Sequence, residues 1–297
     1  MGDRTPLVSI GMPVYNAAHS LRSALESLLA QDYKNFELIV SDNRSTDSTQ
    51  EICLDHAAKD KRIRYHRNKT NIGIINNFNK AFELSQGEYF MWAAHDDLKE
   101  PNYISSCLKI MEDNPNVILC CSKTLLKPNG NLKELKVNFS TMGMPAFNRF
   151  HKILWGTSCA SIYGLMRSDV LKQTGLMRNV TGCDNVLLGE LSLIGEFYQL
   201  PLFLFTQKVR PGSFDKKITT VFEPTLPQEH SRYKTLFIPL IKLASENWLI
   251  VQNSRLGTRD KFLSFSDIIL CFVFKYMPFF IVHSAVTLYQ GLSKLKK

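Results

Sequence analysis

Two adjacent carboxylates, Asp96 and Asp97, follow the apolar run Tyr89 to Ala94 with only His95 between. Neighbouring like charges repel unless a cation or hydrogen-bond donors compensate them, and Lys99 is the one basic residue in that turn. A divalent ion is therefore the economical partner. Mg2+ or Mn2+ takes oxygen ligands, keeps several waters and is commonly completed by substrate phosphates. Two further groups stand at the ends of apolar runs: Pro13-Val14-Tyr15-Asn16, and Asp42 with Asn43 and Ser45. They offer an aromatic ring and a carboxylate able to accept from base or ribose donors, which suits a nucleoside diphosphate held through a metal. Each also has a plainer use. Asp42 satisfies local backbone donors in a turn, Tyr15 serves as a ring at the edge of the core, and His95 hydrogen-bonds within its own turn.

In an open, mostly parallel sheet, ligands bind outside the carboxyl ends of the strands. The first 125 residues alternate strand-like apolar runs with helical spacing, which is βαβ punctuation. Strands are expected over Leu7–Val14, Phe36–Ser41, Ile63–His66, Tyr89–Ala94 and Val117–Ser122. Helices are expected over Leu21–Leu29, from Ser48 behind an Asp47 cap, over Gly73–Ser85, and from Pro101, which favours a first-turn position. Later residues pattern more loosely: a strand over Ser161–Arg167, a helix over Asp184–Gly195, strand character over Phe197–Val209, and a polar, mobile loop over Gly212–Arg232.

The chain has 297 residues, 44% hydrophobic and 21% charged, with 15 Gly and 12 Pro, which excludes disorder and collagen. Seven Cys without a C-x-x-C pair, and no secretory signal at the first residues, predict a reduced cytoplasmic protein. The net charge is +9, and residues 201–297 hold 14 basic and 6 acidic side chains, so the excess belongs to the tail.

The strand-end motifs carry a resemblance. Val8-Ser9-Ile10 before Pro13-Val14-Tyr15-Asn16, Phe36 to Val40 running into Asp42 and Ser45-Thr46-Asp47, Asn71-Ile72-Gly73, and His95-Asp96-Asp97 stand in the order and spacing of one family. Over roughly residues 5 to 212 the chain resembles the family 2 glycosyltransferases of the GT-A fold. The resemblance implies an α/β fold of GT-A type: a Rossmann-like, mostly parallel sheet sandwiched by helices. It implies an inverting, metal-dependent hexosyltransferase that takes a UDP-, GDP- or dTDP-sugar and uses Mn2+ or Mg2+. Pro13, Tyr15, Asn16 and Asp42 then match nucleotide-binding positions, Asp96 the ribose side, Asp97 the metal, and Asp184 the general base. Inverting transfer needs an acceptor hydroxyl deprotonated as it attacks, while the departing nucleoside diphosphate gains charge; one carboxylate and one metal cover those needs. An Asp at a helix start is otherwise an N-cap.

Two positions depart from the family pattern. Cys183 stands where a Glu normally precedes the base, and Arg210 stands where a His often precedes Pro-Gly-Ser, which makes Arg210 a diphosphate contact. The Cys183 departure keeps a second reading open, a catalytically silent nucleotide-sugar-binding partner of the same pathway.

On this reading residues 1–232 form the transferase domain, with a nucleotide-binding half over 1–125 and an acceptor half over 126–232, and 233–297 form a helical, basic and apolar C-terminal extension. Ile268–Tyr289 is 22 residues long and mostly apolar, yet Lys275, Pro278 and His283 fall inside it. A membrane-associating helix pair broken at Pro278 is expected, with Lys275 snorkelling and Lys261, Lys294, Lys296 and Lys297 meeting anionic lipid. The competing expectation is a helical hairpin covering the catalytic domain. Nucleic acid is disfavoured, because the charges flank an apolar block instead of alternating with stacking positions. The partners expected are therefore the donor, a saccharide or lipid-linked saccharide acceptor in surface polysaccharide assembly, and the inner face of the cell membrane, with the protein peripheral or monotopic on it.

Overall fold

The computed structural model describes residues 5–128, 130–156, 159–209 and 234–276. Arg210, the loop over Gly212–Arg232 and the tail from Met277 lie outside the described residues.

The first strands form where the apolar runs stand: β1 (Val8–Val14), β2 (Phe36–Asp42), β3 (Ile63–Arg67) and β4 (Tyr89–Trp92). The helices α1 (Leu21–Leu29), α2 (Thr49–Lys59), α3 (Ile74–Glu83) and α4 (Tyr103–Asp113) alternate with them. The short β5 (Leu98–Lys99) follows the Asp96-Asp97 turn. Then come β6 (Val117–Pro128), β7 (Lys133–Glu134), α5 (Ala146–Gly156), β8 (Leu165–Arg167), α6 (Ser168–Leu171), α7 (Cys183–Ile194) and β9 (Glu196–Val209). Two further helices, α8 (Lys234–Asn253) and α9 (Thr258–Cys271), complete the described chain.

Among the described residues nine strands form one sheet in the order β3-β2-β1-β4-β8-β6-β9-β5, with β7 on β6. The long ladders, β1 on β2 and β4, β2 on β3, and β6 on β9, are parallel. The antiparallel pairings of β8, β5 and β7 cover two residue pairs at each junction.

Alternation along the strands supplies both faces of the sandwich. Val8, Ile10, Met12 and Met91 pack with Leu25 of α1 and Ile104 of α4 on one face. Phe90 and Trp92 pack with Phe82 of α3 and Leu187 of α7 on the other. Pro13 is compatible with a central strand because its missing N–H faces β4, and that ladder ends at Gly11 and Trp92.

The structure corrects three expectations. Only Leu165–Arg167 of the expected strand Ser161–Arg167 is extended; Cys159–Tyr163 is a 3-10 turn closed by the Gly164 N–H on Ser161 O at 3.0 Å. Gly164, which ends the turn, packs closely on β6: a Cβ there would sit 2.9 Å from Cys120 O. Val117–Ser122 runs on to Pro128, because β9 offers a continuous parallel partner as far as Val209. Lys275 does not snorkel. Its Nζ donates to Leu154 O at 2.9 Å and Trp155 O at 3.1 Å, capping the end of α5, where cations are favoured by the helix dipole. Burial pushes its pKa down.

Leu240, Leu243, Ile250 and Val251 of α8 and Ile268 of α9 share a buried cluster with Phe150 of α5 and Val186 of α7. Arg178 locks this layer. It donates to both oxygens of Glu190 at 2.8 and 3.0 Å and pairs with Glu246 of α8 at 3.3 Å. Arg178→Ala leaves two half-buried carboxylates without their cation, and chemical denaturation is expected to show a loss of about 2–3 kcal/mol.

Candidate functional site

The carboxyl ends of β1, β2 and β4 open on one edge of the sheet, and the loops leaving them are stitched together. The Asn16 backbone N–H donates to Ser45 Oγ at 3.0 Å, and its side-chain Oδ1 accepts the Thr46 N–H at 2.8 Å. The Ala17 N–H donates to Thr49 Oγ1 at 2.8 Å and the Ala18 N–H to Asp47 Oδ2 at 3.1 Å. Asp47 also takes the Thr49 N–H at 3.0 Å in a local Asx-type turn; the helix begins at Thr49 with Ser48 as its N-cap, one residue later than the sequence places it. Asn16 makes these bonds with φ at +51°, a left-handed conformation that Asn tolerates better than most residues. Tyr15, 47% exposed, is left standing as an open ring at the rim.

Asp42 is fully buried. Its Oδ1 accepts the Ser45 N–H at 2.8 Å, and its Oδ2 accepts the Tyr65 hydroxyl at 2.7 Å with Arg67 Nε at 3.4 Å. The carboxylate therefore fixes the floor of the edge. Tyr65 and Arg67 belong to the same unit, and burial with the Asp42 bond pushes the Tyr65 hydroxyl pKa up. Sequence reasoning missed Tyr65 and read Arg67 as exposed charge on a loop. The available signal was register, since β3 pairs Tyr65 with Val40 and Arg67 with Asp42.

The Asp96-Asp97 turn sits between β4 and β5. Ser20 Oγ lies 2.9 Å from His95 Nδ1, so His95 ties the turn to the start of α1, a partner outside its own turn that the plain reading of a lone His did not include. Asp97 is 7% exposed, and its Oδ1 accepts the backbone N–H of Lys208 at 2.9 Å, which fastens the turn to the end of β9. Burial pushes its pKa up to about 7, the charge of Asp96 adds to that, and the Lys208 N–H and Lys99 work against it. Lys99 is itself enclosed: its Nζ donates to Tyr163 O at 2.9 Å and lies 3.6 Å from the Tyr103 ring centroid and 4.4 Å from that of Phe205. Desolvation lowers the Lys99 pKa to about 7.

The donor set suits a hard cation. Two adjoining carboxylates, one of them buried with a proton affinity raised by its surroundings, supply oxygen ligands that phosphates and water complete. Among the described residues no group of three His, Cys, Asp or Glu side chains is arranged to hold a metal ion. Asp96 also lines a cavity of about 490 Å³ with Ser23, Leu98, Lys127, Thr206 and Lys208.

Asp184 stands in the first turn of α7, behind Gly182 at φ +75°. That left-handed residue lets the chain enter the helix abruptly, and it leaves the N-cap position without a side chain, so Asp184 is not the N-cap. Its carboxylate is half-buried and accepts no hydrogen bond among the described residues. Burial and the Asp184 charge push the neighbouring Cys183 thiol up to about 12, so Cys183 adds no second charge there. The structure thus gathers Tyr15, Asn16, Asp42, Asp96 and Asp97 on one edge, carries Asp184 on a separate helix, and buries Pro13 in β1.

A family model, described as glycosyl transferase family 2, matches residues 9–175. This chain belongs to glycosyltransferase family 2. An uncharacterised glycosyltransferase of Rickettsia typhi is 35% identical over 184 residues, which cover 58% of this chain and 54% of that protein. Another, from Methanocaldococcus jannaschii, is 36% identical over 135 residues, covering 44% and 47%. The chain thus spans about half the length of these curated relatives. Among solved structures, Staphylococcus aureus TarS 1-349 in complex with UDP-GlcNAc aligns with a TM-score of 0.68 at 16% identity, covering 91% of this chain and 73% of that one. The Pyrobaculum calidifontis mannosyltransferase PcManGT, in complex with GDP-Man and Mn2+, aligns with a TM-score of 0.55 at 14% identity, covering 95% and 84%. The curled α/β sheet of this family 2 member is the GT-A fold of those glycosyltransferases.

Proposed function

We propose that this family 2 protein transfers a hexosyl group from a nucleoside-diphosphate sugar to an acceptor hydroxyl, with inversion, at an anionic membrane surface. The observation that carries the reading is the Asp96-Asp97 turn at the carboxyl edge of the sheet, with Asp97 buried and fastened to Lys208 N. The nucleoside fits against the Tyr15 ring over the floor built by Asp42, Tyr65 and Arg67. Asp96 faces the ribose and Asp97 holds Mn2+ or Mg2+, which when bound neutralises charge developing on the departing diphosphate. Asp184 takes the proton of the acceptor hydroxyl as it attacks the anomeric carbon. The domain division at residue 232 is part of the same proposal: the donor residues precede it, while α8 and α9 pack on α5 and α7 and α9 adds an outer apolar face.

A thermal-shift screen of UDP-, GDP- and dTDP-sugars with and without Mn2+ or Mg2+ tests the donor reading. A ligand at a hundred times its dissociation constant raises stability by about 2.7 kcal/mol. Product release from a cognate donor then separates an enzyme from a silent nucleotide-sugar-binding partner. The neutral Cys183 favours no loss of base function, because the Asp184 carboxylate is present and unengaged among the described residues.

Support for the membrane surface comes from α9. It turns Ser264, Ile268 and Cys271 inward and leaves Phe262, Leu263, Phe265, Ile269 and Leu270 outward, and Phe274 in the turn after it is outward too, with Phe262 69% and Phe274 67% exposed. Arg255 precedes α9, and Arg259 and Lys261 fall in its first turn. Among the described residues no helix is long and apolar enough to cross a membrane. An apolar outer face with cations beside it suits the headgroup boundary of anionic lipid, and a lipid-linked saccharide is the acceptor that such docking presents. Phe262→Ser with Phe274→Ser is expected to weaken sedimentation with phosphatidylglycerol vesicles by about tenfold or more, since each ring contributes about 1.5–3 kcal/mol when buried. Unchanged sedimentation would refute the membrane proposal.

A further inference from the structure

Lys127 of β6 and Lys208 of β9 are direct partners in the parallel ladder. Opposite positions of neighbouring strands lie about 5 Å apart, and like charges placed so repel. Neither ammonium has a hydrogen bond or ion pair among the described residues, whereas Lys123, four residues earlier on β6, pairs with Glu134 at 3.8 Å. Both lysines are exposed and line the cavity of about 490 Å³ that Asp96 also lines. Lys208 is in addition the residue whose backbone N–H holds Asp97 at 2.9 Å, so its side chain is placed by the same strand end that places the acid pair. A volume of this size admits a sugar-phosphate portion of a substrate.

We propose that Lys127 and Lys208 form a phosphate-binding subsite beside the Asp96-Asp97 turn, a role that rests on the nucleoside-diphosphate reading of that turn. Two ammonium groups held side by side present six N–H donors to one anion, and the bound phosphate relieves the repulsion between them. A divalent ion on the carboxylates would offset their charge, leaving the two ammonium groups to make the cavity net positive. The phosphate has two possible sources: the diphosphate of the donor, or a phosphate carried by the acceptor.

Calorimetry on the full chain with Mn2+ present decides the matter, using Lys127→Gln, Lys208→Gln and the double variant. The titrants are UDP, GDP and dTDP, their parent nucleosides, and inorganic pyrophosphate added after saturation with the nucleoside diphosphate that binds best. Each single variant is expected to weaken phosphate binding about tenfold, and the loss should shrink in high salt. Weaker nucleoside diphosphate binding with the nucleoside unaffected assigns the subsite to the donor. Unchanged nucleoside diphosphate binding with loss of pyrophosphate from the saturated protein assigns it to the acceptor. Arg at both positions keeps the charge and should retain binding. Should the double variant fold poorly, the single variants carry the same test. If both titrants bind the well-folded variants as tightly as the parent, the lysines are a solvated rim and the proposal is overturned. A parent that binds no nucleoside diphosphate refutes the donor reading instead, and pyrophosphate alone then tests the subsite.

Discussion

Replacing Asp97 by Asn is expected to remove metal-dependent nucleotide binding and to reduce sugar transfer by about a thousandfold or more, because the metal's charge stabilisation is a matter of several kcal/mol. Asn keeps the shape and can still accept the Lys208 N–H, so the fold should survive. The wild-type protein should also show a characteristic pH dependence. Asp97 has a pKa near 7 in the fold against 3.8 when unperturbed. A carboxyl raised in this way contributes stability while protonated, and that contribution is lost as pH rises through about 7. Metal reverses the sign, since it binds the ionised form. The melting-temperature gain from Mn2+ should therefore be larger at about pH 8 than at about pH 5.5. Asp97→Asn should flatten that difference, and an equal Mn2+ gain in parent and variant at both pH values would show that the ion sits elsewhere.

Asp184→Asn should bind the donor with nearly parental affinity and lose transfer by about 10² to 10⁴-fold. The amide keeps the side chain's size and its place in the first turn of α7, behind Gly182, but has no basicity. Single-turnover measurements with saturating donor separate this chemical defect from any change in binding. Retention of more than about a tenth of the parental rate would assign the proton to another group.

The site residues differ in how far the chain's own pattern revealed them. Asp96 and Asp97 were legible because a carboxylate pair just after a buried apolar strand has few explanations. Asp42 was legible as a strand-end carboxylate, whereas its partners Tyr65 and Arg67 were not, because they enter through the parallel register of β3 on β2. Lys99 read as an ordinary turn lysine; only the rings of Tyr103 and Phe205 closing over it make it a buried one. Lys275 was misread for a related reason: its carbonyl partners, Leu154 and Trp155, are about 120 residues away in the chain.

By itself the sequence determined the alternation of strands and helices over the first 125 residues, the family, and the polar groups at three strand ends, two of them with carboxylates. These are local matters, set by apolar period, turn chemistry and short motifs, and each is complete within a dozen or so neighbouring residues. The tertiary structure decided the rest. It brought β8 between β4 and β6, extended β6 along β9 as far as Val209, fastened Asp97 to Lys208, and set Lys127 beside Lys208. Every one of those outcomes joins residues far apart in the chain, and such pairings depend on which strands share an edge and in what register, which no local pattern encodes.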